Sequence, residues 1–188
     1  MLAKIISEAS NAVVAAVNGV DDILGAVTGT AKNQVVNLLQ GVGEVGSTTV
    51  ETVASVASGV VQGAGNVGGS LVETASNTLS GVVGGVSQVG GDVIEAVKGG
   101  VSGVVSGVAE TGGDIGQAAV GAVQGAVKAA GEVGADTGEA TKAAVGSALD
   151  AAGELGGNAG EKVREALLNT AALPRDVIES AIKGHDQK

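Results

Sequence analysis

Residues 90–117 read GGDVIEAVKGGVSGVVSGVAETGGDIGQ, and this stretch decides how the rest of the chain is interpreted. It holds one pattern twice: a glycine pair followed by Asp92-x-x-Glu95, and then a glycine pair followed by Asp114-x-x-Gln117. Such a spacing is a helix capping box, in which the first side chain accepts a hydrogen bond from a free backbone amide. Glycine just upstream is typical of the end of a preceding helix. The stretch therefore predicts a helix, a turn and a second helix.

The capping pattern recurs six times in the chain at a constant spacing of 22 residues. Its first residues are the predicted helix caps Thr48, Ser70, Asp92, Asp114, Asp136 and Asn158. A small pair precedes the last five of these caps: Gly68-Gly69, Gly90-Gly91, Gly112-Gly113, Gly134-Ala135 and Gly156-Gly157. One capping box is a weak signal, whereas six boxes in one register indicate a tandem repeat.

An 11-residue ladder lies beneath the 22-residue unit and starts at Ile5. The first, fifth and eighth positions are mostly apolar, as in Val82, Val86 and Val89, whereas the third and seventh are mostly polar. Eleven residues fill three helical turns at about 3.67 residues per turn. The apolar positions therefore share one stripe, and the third, seventh and tenth positions lie opposite. This pattern predicts an all-α fold of tandem 11/22-residue amphipathic helical repeats.

The sequence allows two structures at each capping box: the helix ends there, or it continues through. The capping residues favour helices that break at the glycine pairs and pack as antiparallel neighbours. The unbroken 11-residue phase favours long or hinged helices in a straight to right-handed coiled coil. We expect the helices to be interrupted or hinged at the pairs.

Composition divides the chain into three regions. Residues 1–47 contain no Gly-Gly pair and are predicted to form an N-terminal helical cap region. Residues 48–158 are the Gly-rich 22-residue helical repeats, and residues 159–188 are a C-terminal helical cap and tail. Pro174 suits the start of a short final helix that ends near Gly184. Atypical end units are what a repeat array needs to close its apolar faces.

The composition argues against several functions. The 188 residues include 34 glycines but no Phe, Trp, Tyr or Cys, and the formal net charge is −10. Nucleic-acid binding is not expected, because phosphate contacts need clustered Lys and Arg. Without cysteine there is no thiolate metal site or catalytic thiol. His185 is the single histidine and is expected to be a solvated helix-end residue. We therefore expect no enzyme activity, and no catalytic residue, cofactor, metal or small-molecule substrate.

Two ligand-like patterns are by-products of the repeat. Gly41-x-Gly43-x-x-Gly46 fits a dinucleotide-binding fingerprint, but no acidic residue follows about 20 positions later. Aspartate after glycine suggests a calcium-binding repeat, whose nonapeptide period is absent.

The stretch Thr52–Val72 is uncharged over 21 residues and is long enough to cross a bilayer. Its Ser, Gln, Asn and Gly residues make a membrane span the minor alternative. The first 40 residues lack a signal-peptide pattern, so a cytoplasmic location is the default expectation.

Glycine spacing predicts close contacts between helices. Gly99, Gly103 and Gly107 follow one another at four-residue intervals, and Gly121 and Gly125 repeat that interval one unit later. A glycine inside a helix costs about 1 kcal/mol relative to alanine, so a series of them is useful chiefly where two backbones approach. These five glycines are the predicted helix-contact residues.

The 11-residue units, such as Val104-Val-Ser-Gly-Val-Ala-Glu-Thr-Gly-Gly-Asp114, resemble the repeats of synucleins, perilipins, exchangeable apolipoproteins and group 3 late-embryogenesis proteins. The resemblance covers residues 5–180 in pattern only, with far more Gly and fewer Lys at the polar–apolar boundary. It implies amphipathic helices of the kind that lie on lipid surfaces.

Three hypotheses for function follow. The leading one is a non-enzymatic structural repeat protein that self-associates through its Val/Ala/Gly helical face, either between its own helices or between copies in a homo-oligomer. The second is an amphipathic-helix coat that turns the same face to a lipid or membrane surface, peripheral to a membrane or lipid body. The third is desiccation or ice protection, which the absence of periodic Thr disfavours.

Overall fold

The computed structural model describes residues 6–8, 23–42, 49–65, 70–171 and 173–187. Residues 6–8 are helical, and among the described residues there is no strand. The longer helices are α1 (Ile23–Val42), α2 (Thr49–Gly65), α3 (Leu71–Gln88), α4 (Val93–Glu110), α5 (Ile115–Glu132), α6 (Thr137–Leu155), α7 (Ala159–Asn169) and α8 (Arg175–Asp186). The predicted all-α repeat fold is confirmed.

At the four small pairs that the structure describes, the helix breaks because the pair supplies a residue with positive φ. Gly90 has a φ of 75°, and its N–H donates to the Ser87 carbonyl at 3.1 Å. The N–H of Gly91 donates to the Val86 carbonyl at 3.0 Å. These two bonds form a Schellman motif, which satisfies carbonyls that the helix end leaves free. Gly112 and Gly134 begin the same arrangement after α4 and α5.

Helix length and turn length together produce two layers. The helices α3, α4 and α5 have 18 residues each, which is about five full turns, so the backbone leaves each helix on the side where it entered. A four-residue connection such as 89–92 then reverses its direction. Alternate helices pack side by side, with α1, α3, α5 and α7 in one layer and α2, α4, α6 and α8 in the other. The helices form this stack instead of a coiled coil.

The predicted apolar stripe lies in the core between and within the layers. Val82, Val86, Val104 and Val108 are fully buried. Leu155 is the one exposed large hydrophobic residue among those described. Because the protein has no aromatic side chain, close contacts between backbones take the place of aromatic packing in the core.

The face opposite the apolar stripe is partly buried in α2. Ser55 and Ser58 occupy the seventh and tenth positions and are buried, because α2 contacts helices on more than one side. The Ser55 hydroxyl donates to the Glu51 carbonyl at 2.9 Å. This bond to the preceding helical turn satisfies a buried hydroxyl without a partner from another helix.

No helix in the described ranges has both the length and the hydropathy needed to span a membrane. Of the uncharged stretch Thr52–Val72, residues 52–65 lie in α2 and residues 71–72 in α3, and residues 66–69 lie outside the described ranges.

Candidate functional site

The predicted helix-contact glycines of α4 lie against the backbone of α2. The pairs are Gly99 with Val50, Gly103 with Ala54, and Gly107 with Ser58. A β-carbon at Gly103 would lie 2.8 Å from the Ala54 Cα, and one at Gly107 would lie 2.9 Å from the Ser58 Cα. Both partners advance by four residues in the same direction, so α2 and α4 are parallel. Any side chain at these glycines would force the two helices apart.

The same contact recurs in the other layer. Gly121 and Gly125 of α5 meet the backbones of Val72 and Ser76 in α3. One step earlier in the same layer, Gly81 and Gly85 of α3 meet the backbone of α1 around Thr28 and Lys32. Sequence reasoning did not single out Gly81 and Gly85, although their four-residue spacing carries the same signal.

The described capping residues lie at the starts of the central helices. Ser70, Asp92, Asp114 and Asp136 are the N-caps of α3, α4, α5 and α6, and each side chain accepts a hydrogen bond from an amide of the first turn. Asp92, for example, accepts from the amides of Ile94 at 2.8 Å and Glu95 at 3.0 Å. Thr48 and the pair Gly68-Gly69 lie outside the described residues.

Asn158 does not act as the predicted side-chain cap. It is the N-cap of α7, but its side chain makes no capping hydrogen bond. Two successive left-handed residues, Gly156 at φ 74° and Gly157 at φ 61°, precede it. This turn leaves Asn158 at φ −102° and ψ 18°, away from the extended conformation that lets an N-cap side chain reach the amides.

A salt bridge joins the last two helices at the end of the stack. Arg164 of α7 donates two hydrogen bonds to Asp186 of α8, from Nη1 at 2.8 Å and from Nη2 at 2.6 Å. These bonds lower the pKa of the Asp186 carboxyl and raise the pKa of Arg164. The final helix extends to Asp186, two residues beyond Gly184. The pair ties it to α7.

His185 is held against α6 and is not the solvated residue that its position suggested. Its Nε2 lies 2.8 Å from the Asp150 Oδ1, and the side chain is 27% exposed. Sequence reasoning missed this contact because the two residues are 35 positions apart. Within the described residues, no group of three or more His, Cys, Asp or Glu side chains is placed to hold a metal ion.

No protein-family model matches the sequence, and no curated protein matches it either. Among solved structures, the protein is similar to the crystal structure of the de novo designed helical repeat protein DHR7. The TM-score is 0.55 and the sequence identity is 18%, over 99% of this protein and 97% of that one. At this identity the similarity concerns the fold alone. The protein therefore has a helical repeat fold.

Proposed function

We propose that this is a non-enzymatic structural repeat protein whose Val/Ala/Gly helical faces associate with one another inside a single molecule. The observation that carries the proposal is the set of glycine contacts between alternate helices. At Gly103 and Gly121, a β-carbon would overlap a backbone carbonyl of the neighbouring helix. These contacts support packing of the face within one molecule over packing against a second copy or lipid. The proposed role is to present the outer surfaces of a rigid stack.

Burial of the apolar side chains supports the same role. A homo-oligomer would have to use surfaces other than the Val/Ala/Gly face, such as the ends of the stack. A lipid coat would require the layers to separate, because only Leu155 among the described large hydrophobic side chains is exposed, at 42%. The homo-oligomer and the lipid coat stay predictions that sedimentation and vesicle binding test, and desiccation or ice protection stays a prediction as well.

Circular dichroism and sedimentation velocity of the pure protein, with and without neutral phospholipid vesicles, test the proposal. We expect a strongly helical, compact monomer in buffer alone and the same spectrum with vesicles. A disordered monomer that becomes helical only with vesicles would instead support the lipid coat.

A matched pair of variants tests where the Val/Ala/Gly face packs. Gly103→Leu should lose helicity, whereas Gly153→Leu should not, because Gly153 is an exposed residue of α6 and a β-carbon there meets nothing within 4 Å. An oligomer that dissociates into folded monomers in Gly103→Leu would show that the face packs between copies.

A further inference from the structure

A groove on the layer formed by α4, α6 and α8 collects positive charge in an acidic protein. Its volume is ≈ 750 Å³, within the range of small-molecule sites. The polar side chains that line it are Lys98, Lys142, Ser147, Asp150, Ser180 and His185, and the remaining lining residues are alanine and glycine. Two lysines and one aspartate line this groove, whereas the whole protein has a net charge of −10.

The repeat brings the two lysines together. Lys98 and Lys142 are 44 residues apart, which is two repeat units, so they occupy the same position on adjacent helices of one layer. The preceding units carry Ala54 and Ser76 at that position, and the unit between them carries Val120. Within the described residues, neither lysine has a carboxylate at ion-pair distance. Two lysines that line one groove, neither of them in an ion pair, repel each other.

The one carboxylate that lines the groove is already engaged. The Oδ1 of Asp150 lies 2.8 Å from the Nε2 of His185. Below the ring, a β-carbon at Gly146 would lie 3.9 Å from the His185 Cδ2. The imidazole therefore forms one wall, and the lysines and the hydroxyls of Ser147 and Ser180 supply donors to the cavity.

We propose that this groove binds a small anionic molecule through a carboxylate or phosphate group held by Lys98 and Lys142. Both ammonium groups donate to the anion, and the serine hydroxyls are placed to complete its hydrogen bonds. Alanine and glycine on the remaining wall leave space for the uncharged part of the ligand. Such a ligand lies outside the function proposed above and was not expected from the sequence.

The protein offers a site-specific reporter for the test. His185 is the single histidine, and there is no Phe, Tyr or Trp, so the protons of its ring carbons give the only aromatic signals in a proton NMR spectrum. The full-length protein is titrated at fixed pH with inorganic phosphate and, separately, with succinate. We expect saturable shifts of the ring protons with at least one of the two anions, which also separates phosphate from carboxylate recognition.

The decisive variants remove the two ammonium groups. Each of Lys98→Gln and Lys142→Gln should weaken binding by about tenfold, the loss expected for one charge-assisted hydrogen bond. The double variant should show no saturable shift. A control with the same change of charge, Lys32→Gln with Lys128→Gln, should bind as the wild type does. Circular dichroism verifies that all variants are folded.

Sodium chloride at matched ionic strength separates binding from general screening. Identical, unsaturable drifts with chloride, phosphate and succinate would overturn the proposal. Saturable shifts that survive in the double lysine variant, or that vanish equally in the control, would overturn it as well.

Discussion

Replacing Gly103 by alanine should destabilise the protein, although alanine is the better helix former by about 1 kcal/mol. The added β-carbon would lie 2.8 Å from the Ala54 Cα, and closer still to its carbonyl oxygen. These are backbone atoms, which cannot rotate away. Overpacking costs about 1–3 kcal/mol, and a contact between two helix backbones belongs at the upper end. The net loss is about 2 kcal/mol, or a fall of about 4–8 °C in the thermal midpoint.

Gly84 in α3 provides the matched control. It also lies inside a helix, but a β-carbon there meets nothing within 4 Å. Gly84→Ala should therefore stabilise the protein by about 1 kcal/mol through helix propensity alone. Urea denaturation followed by circular dichroism measures both variants. If Gly103→Ala were as stable as the wild type, or if both variants shifted equally, the assigned contact between α2 and α4 would be refuted.

Substitutions at three further positions test the turns and the end of the stack. Asp92→Ala should cost about 1 kcal/mol in urea denaturation, because two amides of α4 lose their acceptor, whereas Asp92→Asn should cost much less. Gly134→Ala should lower the free energy of unfolding by about 1–2 kcal/mol, because the φ of 75° at this position strains alanine. A β-carbon there meets nothing within 4 Å, so no steric contact contributes. A variant as stable as the wild type would contradict the left-handed turn. Since the hydrogen bonds from Arg164 lower the pKa of Asp186 from its ordinary 3.8, this pair stabilises the fold above that pH. Its contribution should be lost as the pH falls through the lowered value, and Asp186→Asn should remove that part of the acid dependence, whereas an unchanged pH profile would contradict the pair.

The local features of the fold could be predicted from the sequence because their causes are local. The cap at Asp92 and the turn at Gly90-Gly91 each depend on a few adjacent residues. The buried valines follow the helical period for the same reason. Asn158 shows the limit of this reasoning, because the glycines before it change the backbone angles on which a cap depends.

The features that depend on layer geometry could not be predicted from local patterns. Nothing near Gly103 indicates that its partner is Ala54, because the pairing follows from alternate helices lying side by side. Burial of Ser55 and Ser58 has the same cause. Lys98 and Lys142 become neighbours only when α4 and α6 share a layer. The sequence therefore predicts the helices, their ends and their apolar stripes, while the stack determines which residues meet.

The central claim is that the Val/Ala/Gly face packs within one molecule, and the contact between Gly103 and Ala54 tests it most directly. Nuclear Overhauser spectra of isotope-labelled protein in buffer alone should show a cross-peak between the α-protons of Gly103 and the protons of Ala54. A mixture of differently labelled molecules, recorded with an isotope filter, should show no such cross-peak, because the contact is intramolecular. A missing cross-peak in the first sample, or a cross-peak in the mixture, would contradict the account.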